Sequence, residues 1–422
     1  MIEWIQRKLN PNYSIQLNES DGFVSGIVRF QLVTSRDELK QQAVRFSLTI
    51  QGDKGSQHAS KEVVPADEKN CWIGLHSHLL EDGSYVVEWS ANDWRDRCKI
   101  TVQNRGPLAN GVRSALNRQR IKPFLIEPCE ANLYELDNTD LAPWFDQADC
   151  QRRLEKMLQD GRVPEYLEGP FRQFLSEGWF EIENHVDPRL LRQLTVDMNE
   201  AAARGDSGFS LGSSQRLELL HLKYKSFWKL INYRPTQKLV DVLMQVPTNV
   251  CQVLGFVNGS QQDPHQDTVH LTAFPSGYMC GAWLALEDVQ PDSGELIVYP
   301  GSHRWPAVLM NQFSLSKVSE EEWVDFGNTV VRRWDEMLKA KATKPLIYRP
   351  KAGSLLIWHD RLMHGGLPRT NMSLTRRSCV THYFARGSLC FHDSTGLPGK
   401  LIHRGSRGPG VLERARWRNW SQ

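Results

Sequence analysis

Two side chains with metal-binding chemistry, His265 and Asp267, stand two residues apart in the sequence Pro264-His265-Gln266-Asp267. On an extended strand this spacing places both side chains on the same face. A third ligand must come from elsewhere, and His364, about a hundred residues later, is the candidate. If His364 lies on a neighbouring strand, two imidazoles and one carboxylate would hold Fe(II) from one side and leave the opposite coordination positions open.

The spacing His-x-Asp is not specific by itself, because it occurs a second time as His185-Val186-Asp187. Here Asp187 directly precedes Pro188, which is typical of an N-cap followed by the first residue of a helix. We therefore predict a structural role for this pair. His76-Ser77-His78 also has strand spacing but no nearby third ligand, and we expect two polar residues on an exposed strand edge.

The composition indicates a globular protein without an electrostatic reason to bind nucleic acid. The chain has 422 residues, 40% hydrophobic and 24% charged, with a formal net charge of +2, and the length suggests two or three domains. Neither a signal sequence nor an apolar run of membrane-spanning length is present, so we expect a cytoplasmic protein with no membrane span. The eight cysteines form no Cys-x-x-Cys pair, which argues against a zinc knuckle or a dithiol redox motif.

Short strands with intervening turns dominate the first part of the chain. Residues 1–105 predict a small antiparallel β-sandwich domain of unknown role, with strands at 23–33, 44–50, 85–89 and 99–102. Residues 106–164 have little strand patterning and are predicted to be a connector that contains a helix near Gln151–Leu158.

A second series of buried strands follows, at 250–257, 279–286, 296–299, 353–358 and 378–384. Turns separate them and crossover helices are not evident, which favours a double-stranded β-helix, the jelly-roll or cupin-like fold, for residues 165–390. The overall prediction is a mainly β protein with flanking helices. Residues 391–422 form a basic C-terminal tail. Its arginines could shape an anionic substrate site or cover the barrel, and we expect a solvated tail.

Residues 165–390 resemble the phytanoyl-CoA dioxygenase family of Fe(II)- and 2-oxoglutarate-dependent oxygenases. The resemblance depends on several motifs in their proper order: Gly259-Ser260-Gln261-Gln262, Pro264-His265-Gln266-Asp267, the run from Gly281 to Asp288, Gly294, Pro300-Gly301-Ser302-His303-Arg304, His364-Gly365, Asn371-x-Ser373 and Arg376-Arg377. It covers about half of the chain and does not extend to the first 160 residues.

The resemblance implies a role for each matched residue. His265, Asp267 and His364 would be the iron ligands, with His359 as a rival for the third position. Arg376 would pair with the distal carboxylate of 2-oxoglutarate, because a guanidinium can donate two parallel hydrogen bonds to a carboxylate. The neighbouring Arg377 is the alternative, since only one of two adjacent strand residues can face the pocket.

Trp283 would line the cosubstrate pocket. Two positions differ from the family pattern: Gly366 stands where a hydroxyl residue is common, and Ser354 follows Gly353 where an aspartate is common. His303 is expected to order its loop, and His382 to line the pocket.

The implied function is a dioxygenase that uses Fe(II), 2-oxoglutarate and O2, hydroxylates a small-molecule substrate and releases succinate and CO2. Related halogenases replace the iron carboxylate by a small residue, so Asp267 favours hydroxylation or another oxidative outcome over halogenation. The alternatives are an inactive jelly-roll binding module with a glycan- or protein-docking N-terminal domain, and a metal enzyme of the same fold that does not use 2-oxoglutarate. Neither the substrate nor the oligomeric state follows from the sequence.

Overall fold

The computed structural model describes residues 12–17, 23–53, 55–210, 212–313, 323–402 and 404. Over these residues the chain is mainly β-structure with helices, in agreement with the predicted class. No helix in the described ranges is both long enough and apolar enough to cross a membrane. Apart from residues 391–402 and Arg404, the predicted basic tail lies outside the described residues.

Among the described residues before position 126, nine strands form two sheets. They are β1 (Ser14–Leu17), β2 (Phe23–Val24), β3 (Ile27–Val33), β4 (Val44–Gly52), β5 (Gly55–Val63), β6 (Trp72–His76), β7 (Gly83–Ala91), β8 (Trp94–Val102) and β9 (Phe124–Leu125). The sheet orders are β1-β3-β6-β9 and β2-β8-β7-β4-β5, and helix α1 (Asp37–Lys40) follows β3. Phe30 and Ile73 of the first sheet share one hydrophobic cluster with Phe46 and Trp89 of the second.

Three details of this region differ from the predicted strands. The strand expected at 23–33 is interrupted at Gly26, whose φ of 79° a residue with a side chain rarely adopts. Strands β5 and β6 were not predicted, and β6 shows no alternation because all five of its residues are buried. Strand β9 lies in the predicted connector, yet it pairs with β6, so this sheet extends beyond residue 105.

The prediction of an exposed edge at His76 and His78 was wrong, because the two residues are only 1% and 0% exposed. The Nε2 atom of His76 lies 2.8 Å from the hydroxyl of Tyr134, and that of His78 lies 2.9 Å from the carbonyl oxygen of Gly387. Burial lowers the pKa of each histidine to about 4. Both are therefore neutral core residues that attach the N-terminal sheets to later parts of the chain.

The connector contains α2 (Pro107–Arg118) and α3 (Cys150–Gln159), and α3 confirms the helix predicted there. The buried face of α2 includes Leu108 and Val112, which belong to the same cluster as Phe391 from the C-terminal half. The connector is thus packed between the two halves of the chain.

In the C-terminal half, helix α4 (Glu168–Glu177) comes before the first strand. Between the first and second strands lie α5 (Pro188–Ala203), α6 (Leu220–Lys223), α7 (Lys225–Ile231) and α8 (Arg234–Met244). The predicted N-cap at Asp187 is confirmed, because its carboxylate accepts hydrogen bonds from the backbone N–H groups of Arg189 and Leu190, at 2.8 and 3.3 Å. His185 lies 2.9 Å from the hydroxyl of Thr236. The second His-x-Asp sequence is therefore structural.

In the part of the C-terminal half that the structure describes, eleven strands form the sheets. They are β10 (Trp179–Ile182), β11 (Thr248–Phe256), β12 (Thr272–Phe274), β13 (Met279–Ala285), β14 (Leu296–Val298), β15 (Leu346–Tyr348), β16 (Leu355–His359), β17 (His364–Gly366), β18 (Ser378–Ala385), β19 (Leu389–His392) and β20 (Leu397–Pro398). The main sheet has the order β10-β16-β13-β18-β11, the minor sheet β15-β14-β17, and a third sheet β12-β19-β20. Strands β11, β13, β14, β16 and β18 confirm the five predicted ones.

The main and minor sheets share one hydrophobic cluster, in which Trp283 and Trp358 of the main sheet meet Leu296 and Tyr348 of the minor sheet. A helical segment between β14 and β15 was not predicted. It contains α9 (Trp323–Phe326), a π-helical turn and α10 (Arg332–Lys341), and its Trp334 lies with its ring centroid 6.1 Å from that of His265.

Candidate functional site

The structure brings together the three side chains that the sequence nominated as metal ligands. His265 and His364 form an antiparallel bridge, and Asp267 begins a short 3-10 turn. One ligand atom from each of the three residues lies within 4.8 Å of the others, and Asp267 Oδ1 is 3.8 Å from the Nε2 atoms of both histidines. No other such group of three occurs in the described part of the chain.

The local backbone differs from the predicted strand. Only His265 is paired, through a single bridge, and the chain then enters the turn at Asp267. Gln266 between them is extended, with φ −102° and ψ 142°, so the two side chains still converge. The side chain of Gln266 is fully buried, donates to the carbonyl oxygens of Pro306 and Arg361 and accepts from Val308 N.

Backbone carbonyl groups orient both imidazole rings. His265 Nδ1 is 2.8 Å from the carbonyl oxygen of Asp263, and His364 Nδ1 is 3.0 Å from that of Leu362. In a neutral imidazole this contact assigns the proton to Nδ1 and leaves the lone pair of Nε2 free. Both free lone pairs lie on the Asp267 side, as metal coordination requires.

The charge states also suit a metal. Burial opposes ionisation of Asp267, but the imidazoles of His364, His382 and His265 together hold the pKa of this carboxyl well below its usual range. Burial lowers the pKa of His364 to about 4. At neutral pH the site therefore offers a carboxylate and a neutral imidazole, which are the protonation states that bind divalent metals.

Arg376, on the strand segment that leads into β18, is a buried cation and is only 1% exposed. Its Nη1 donates to the hydroxyl of Ser378 over 3.1 Å, and its guanidinium lies 5.5 Å from the ring centroid of Trp283. Its Nε has no hydrogen-bond partner, and within the described residues no carboxylate forms an ion pair with it. Burial lowers the pKa of Arg376 to about 10, against the attraction of Glu287 and Glu295, so the side chain is charged at neutral pH.

Arg377 has a different environment. Its Nη1 forms a 2.8 Å ion pair with Glu287, and its Nε donates to Asn199 over 2.8 Å. Arg376 therefore faces the interior, whereas Arg377 is committed to a surface ion pair. Of the two arginines, only Arg376 is available for a buried anionic ligand.

His359, the rival for the third ligand position, lies in a separate buried cluster. Its Nε2 is 3.1 Å from Asp146, and its Nδ1 is 2.8 Å from Asp360. Burial would lower the pKa of His359, but the two carboxylates raise it to about 9. A protonated imidazole has no lone pair for a metal. His303, whose ring centroid is 5.5 Å from that of His359, belongs to the same cluster.

Steric crowding explains why position 366 is a glycine. A Cβ atom at this position would lie 2.7 Å from the hydroxyl oxygen of Ser260 and 2.8 Å from the backbone nitrogen of Gln261. The close approach of the 260–261 backbone leaves no space for the hydroxyl residue that the family pattern favours.

Trp358 is a site residue that the sequence analysis missed. Its indole N–H donates to Asp267 Oδ2 over 2.8 Å, and its ring centroid lies 4.5 Å from that of His364. His382, expected to line the pocket, is 3.5 Å from the same Oδ2 atom. The only sequence signal was an aromatic residue with a polar atom at the end of a buried apolar run, and its partner could not be inferred without the strand register.

Residues 229–379 match the family model described as "Phytanoyl-CoA dioxygenase (PhyH)". This segment is similar to the phytanoyl-CoA dioxygenase family and is called the PhyH domain below. It contains the three clustered side chains as well as Arg376 and Trp283. Within the PhyH domain, the family assignment made from ordered motifs is thus confirmed.

Curated relatives of the PhyH domain align with part of the chain. "Phytanoyl-CoA dioxygenase domain-containing protein 1" of Danio rerio is 34% identical over 86 residues, which are 17% of this chain and 29% of that protein. "Phytanoyl-CoA dioxygenase, peroxisomal" of Bos taurus is 25% identical over 145 residues, which are 34% of this chain and 40% of that protein. The chain thus spans less than half the length of these relatives.

The solved structures match with lower sequence identity than these relatives. The "non-heme alpha ketoglutarate dependent carbocyclase SnoK from nogalamycin biosynthesis" is 16% identical and matches with a TM-score of 0.45 over 56% of this chain and 96% of that chain. The corresponding "epimerase SnoN" is 16% identical, with a TM-score of 0.41 over 54% of this chain and 86% of that chain.

Proposed function

We propose that the protein is an Fe(II)- and 2-oxoglutarate-dependent dioxygenase that hydroxylates a small-molecule substrate. The observation that supports this most strongly is the combination of two features of the PhyH domain. One is the cluster of His265, Asp267 and His364, and the other is the buried Arg376, which has no carboxylate partner among the residues that the structure describes.

The donor set fits the proposed metal. Two imidazoles and one carboxylate suit Fe(II), and three protein ligands leave coordination positions for a bidentate 2-oxoacid and for O2. When bound, iron and 2-oxoglutarate would supply the oxidising chemistry, in which the 2-oxoacid is converted to succinate and CO2 and the substrate gains one oxygen atom.

The residues around the cluster provide binding and orientation. Arg376 would hold the distal carboxylate of 2-oxoglutarate, because an unpaired guanidinium in a buried site is strongly stabilised by an anion. Trp283 would form one wall of the same pocket, since its ring already packs on the guanidinium. The aromatic cluster between the main and minor sheets would exclude water from it.

The domain organisation forms part of the proposal. Residues 1–105 would be a β-sandwich, supported by two sheets with one shared core, and 106–164 a packed connector. Residues 165–390 would be the double-stranded β-helix domain, supported by the facing main and minor sheets, and residues 391–422 a basic tail.

Succinate formation tests the proposal. The full chain is incubated with Fe(II), 2-oxoglutarate and a panel of small molecules, and succinate and oxygenated products are measured by mass spectrometry. We expect slow succinate release without substrate, faster release with the correct one and none in His265→Ala. An iron-loaded wild type that never consumes 2-oxoglutarate across the panel would show that the domain is an inactive binding module or uses another cosubstrate.

A further inference from the structure

One row of residues crosses all five strands of the main sheet next to Asp267 of the ligand cluster. The pairing registers join them in order from β10 to β11: Trp179, Trp358, Gly281, His382 and Gln252. Residues paired across adjacent strands share a face of the sheet. The side chains of this row therefore lie on one face, and two of them reach Asp267.

The two oxygens of Asp267 have different surroundings. Oδ1 lies 3.8 Å from the Nε2 atoms of His265 and His364, on the side where a metal would bind. Oδ2 accepts the indole N–H of Trp358 over 2.8 Å, with His382 Nε2 at 3.5 Å. One oxygen is thus held by the sheet while the other remains directed towards the histidines.

Gln252 supports this arrangement from the far edge of the row. Its amide nitrogen lies 3.2 Å from His382 Nδ1. Because an amide N–H can only donate, Nδ1 is the acceptor, and Nε2 is then the ring nitrogen that carries a proton. The assignment directs an N–H group, not a lone pair, towards the carboxylate of Asp267.

The sheet leaves space for the indole at one specific position. Gly281 is paired with Trp358, and a Cβ atom at Gly281 would lie 2.2 to 2.5 Å from three atoms of the indole, including Nε1. Any side chain at residue 281 would displace the ring from Asp267. The same indole also packs on His364, at 4.5 Å between centroids and an interplanar angle of 37°. Trp358 thus contacts two of the three proposed ligands.

We propose that Trp358, in the space that Gly281 leaves, is the positioning residue that makes Asp267 a ligand through one oxygen only. This inference rests on the proposed metal site and adds a residue to it. A carboxylate free to rotate could present both oxygens and occupy a position needed by the cosubstrate. The hydrogen bond to Oδ2 prevents this and fixes Oδ1 towards the histidines.

Trp358→Phe tests the inference, because it keeps an aromatic ring and removes the N–H donor together with part of the indole, a loss of volume that the control below shares. Trp179→Phe is the matched control: it is the same substitution in the same row, one strand away, and Trp179 has no hydrogen-bond contact with Asp267. Metal-free full-length protein is titrated anaerobically with Fe(II) by calorimetry. We expect the dissociation constant to rise about 10- to 100-fold in Trp358→Phe and to stay within about threefold of wild type in Trp179→Phe.

A second variant keeps the donor but moves it. Gly281→Ala retains Trp358 and displaces its ring, and should weaken Fe(II) binding by a similar factor. The inference is overturned if Trp358→Phe or Gly281→Ala binds Fe(II) within threefold of wild type, or if the Trp179 control is weakened equally. Failure of the wild type itself to bind Fe(II) would instead refute the proposed metal site, so the two failures are distinguishable.

Discussion

The peptide groups of His265 and His364 form two reciprocal hydrogen bonds. His265 N–H donates to the His364 carbonyl oxygen over 2.9 Å, and His364 N–H donates to that of His265 over 3.1 Å. Two segments separated by about a hundred residues are therefore joined at the positions of the proposed ligands. Backbone pairing therefore fixes the distance between His265 and His364. This pairing forms without a metal ion.

Arg376→Ala should raise the KM for 2-oxoglutarate by roughly 100-fold, because two charge-assisted hydrogen bonds to its distal carboxylate would be lost. Fe(II) affinity should not change, since Arg376 does not contact the ligand cluster. Arg377→Ala is the control, and loss of its partly exposed ion pair with Glu287 should change KM less than about threefold. Steady-state kinetics at saturating iron separate the two variants, and equal effects would refute the assignment.

Asp187→Ala should destabilise the protein by about 1 kcal/mol without a change in Fe(II) affinity, because it removes the N-cap of α5. Asp187→Ser can still accept a hydrogen bond from the helix N-terminus, so its loss of stability should be much smaller. Urea unfolding and iron titration of the same preparations measure both effects. Weaker iron binding in Asp187→Ala would show that the second His-x-Asp sequence is not merely structural.

Gly366→Ser introduces the hydroxyl residue that the family pattern favours, and should destabilise the fold by about 1–3 kcal/mol through overlap with the 260–261 backbone. Gly169→Ser is the matched control, because a Cβ atom there meets nothing within 4 Å. Urea unfolding compares the two. Wild-type stability in Gly366→Ser would contradict the steric explanation.

The cluster of His359 with Asp146 and Asp360 predicts pH-dependent stability; Arg361 and His303 also face it. The folded-state pKa of His359 is raised from 6.5 to about 9, so its contribution is complete below pH 6.5 and is lost as pH rises towards 9. The pKa of Asp146 is lowered from 3.8 to about 2, so its contribution is present above pH 3.8 and is lost as pH falls towards 2.

The unfolding midpoint should therefore decrease between pH 6.5 and 9, and Asp146→Asn should reduce this decrease because it removes one of the charges that retain the proton. Thermal unfolding of both proteins at several pH values measures the difference. Identical slopes in wild type and Asp146→Asn would contradict the assignment of a protonated His359.

The sequence predicted those features that depend on local pattern and on ordered motifs. Strands with clear turns at both ends, the N-cap at Asp187 and the convergence of His265, Asp267 and His364 were all accessible in this way. Strand β6 was missed because its residues are uniformly buried and do not alternate. The exposure of His76 and His78 was mispredicted because their partners, Tyr134 and Gly387, lie far away in the sequence.

The contact between Trp358 and Asp267 was inaccessible for the same reason. The two residues are 91 positions apart, and the contact exists only because β16 pairs with β13 in the register that places Trp358 opposite Gly281. The ion pair of His359 with Asp146 spans 213 positions. Register and long-range packing are properties of the folded chain, which local spacing does not encode.

The proposed metal site is tested most directly by anaerobic calorimetric titration of the metal-free full chain with Fe(II), followed by 2-oxoglutarate. We predict one Fe(II) per wild-type chain, binding of 2-oxoglutarate only after iron, and loss of both in His364→Ala, with His185→Ala unchanged as the control. A wild-type chain that binds no Fe(II), or a His364→Ala variant that binds it as tightly as wild type, would contradict the proposed site.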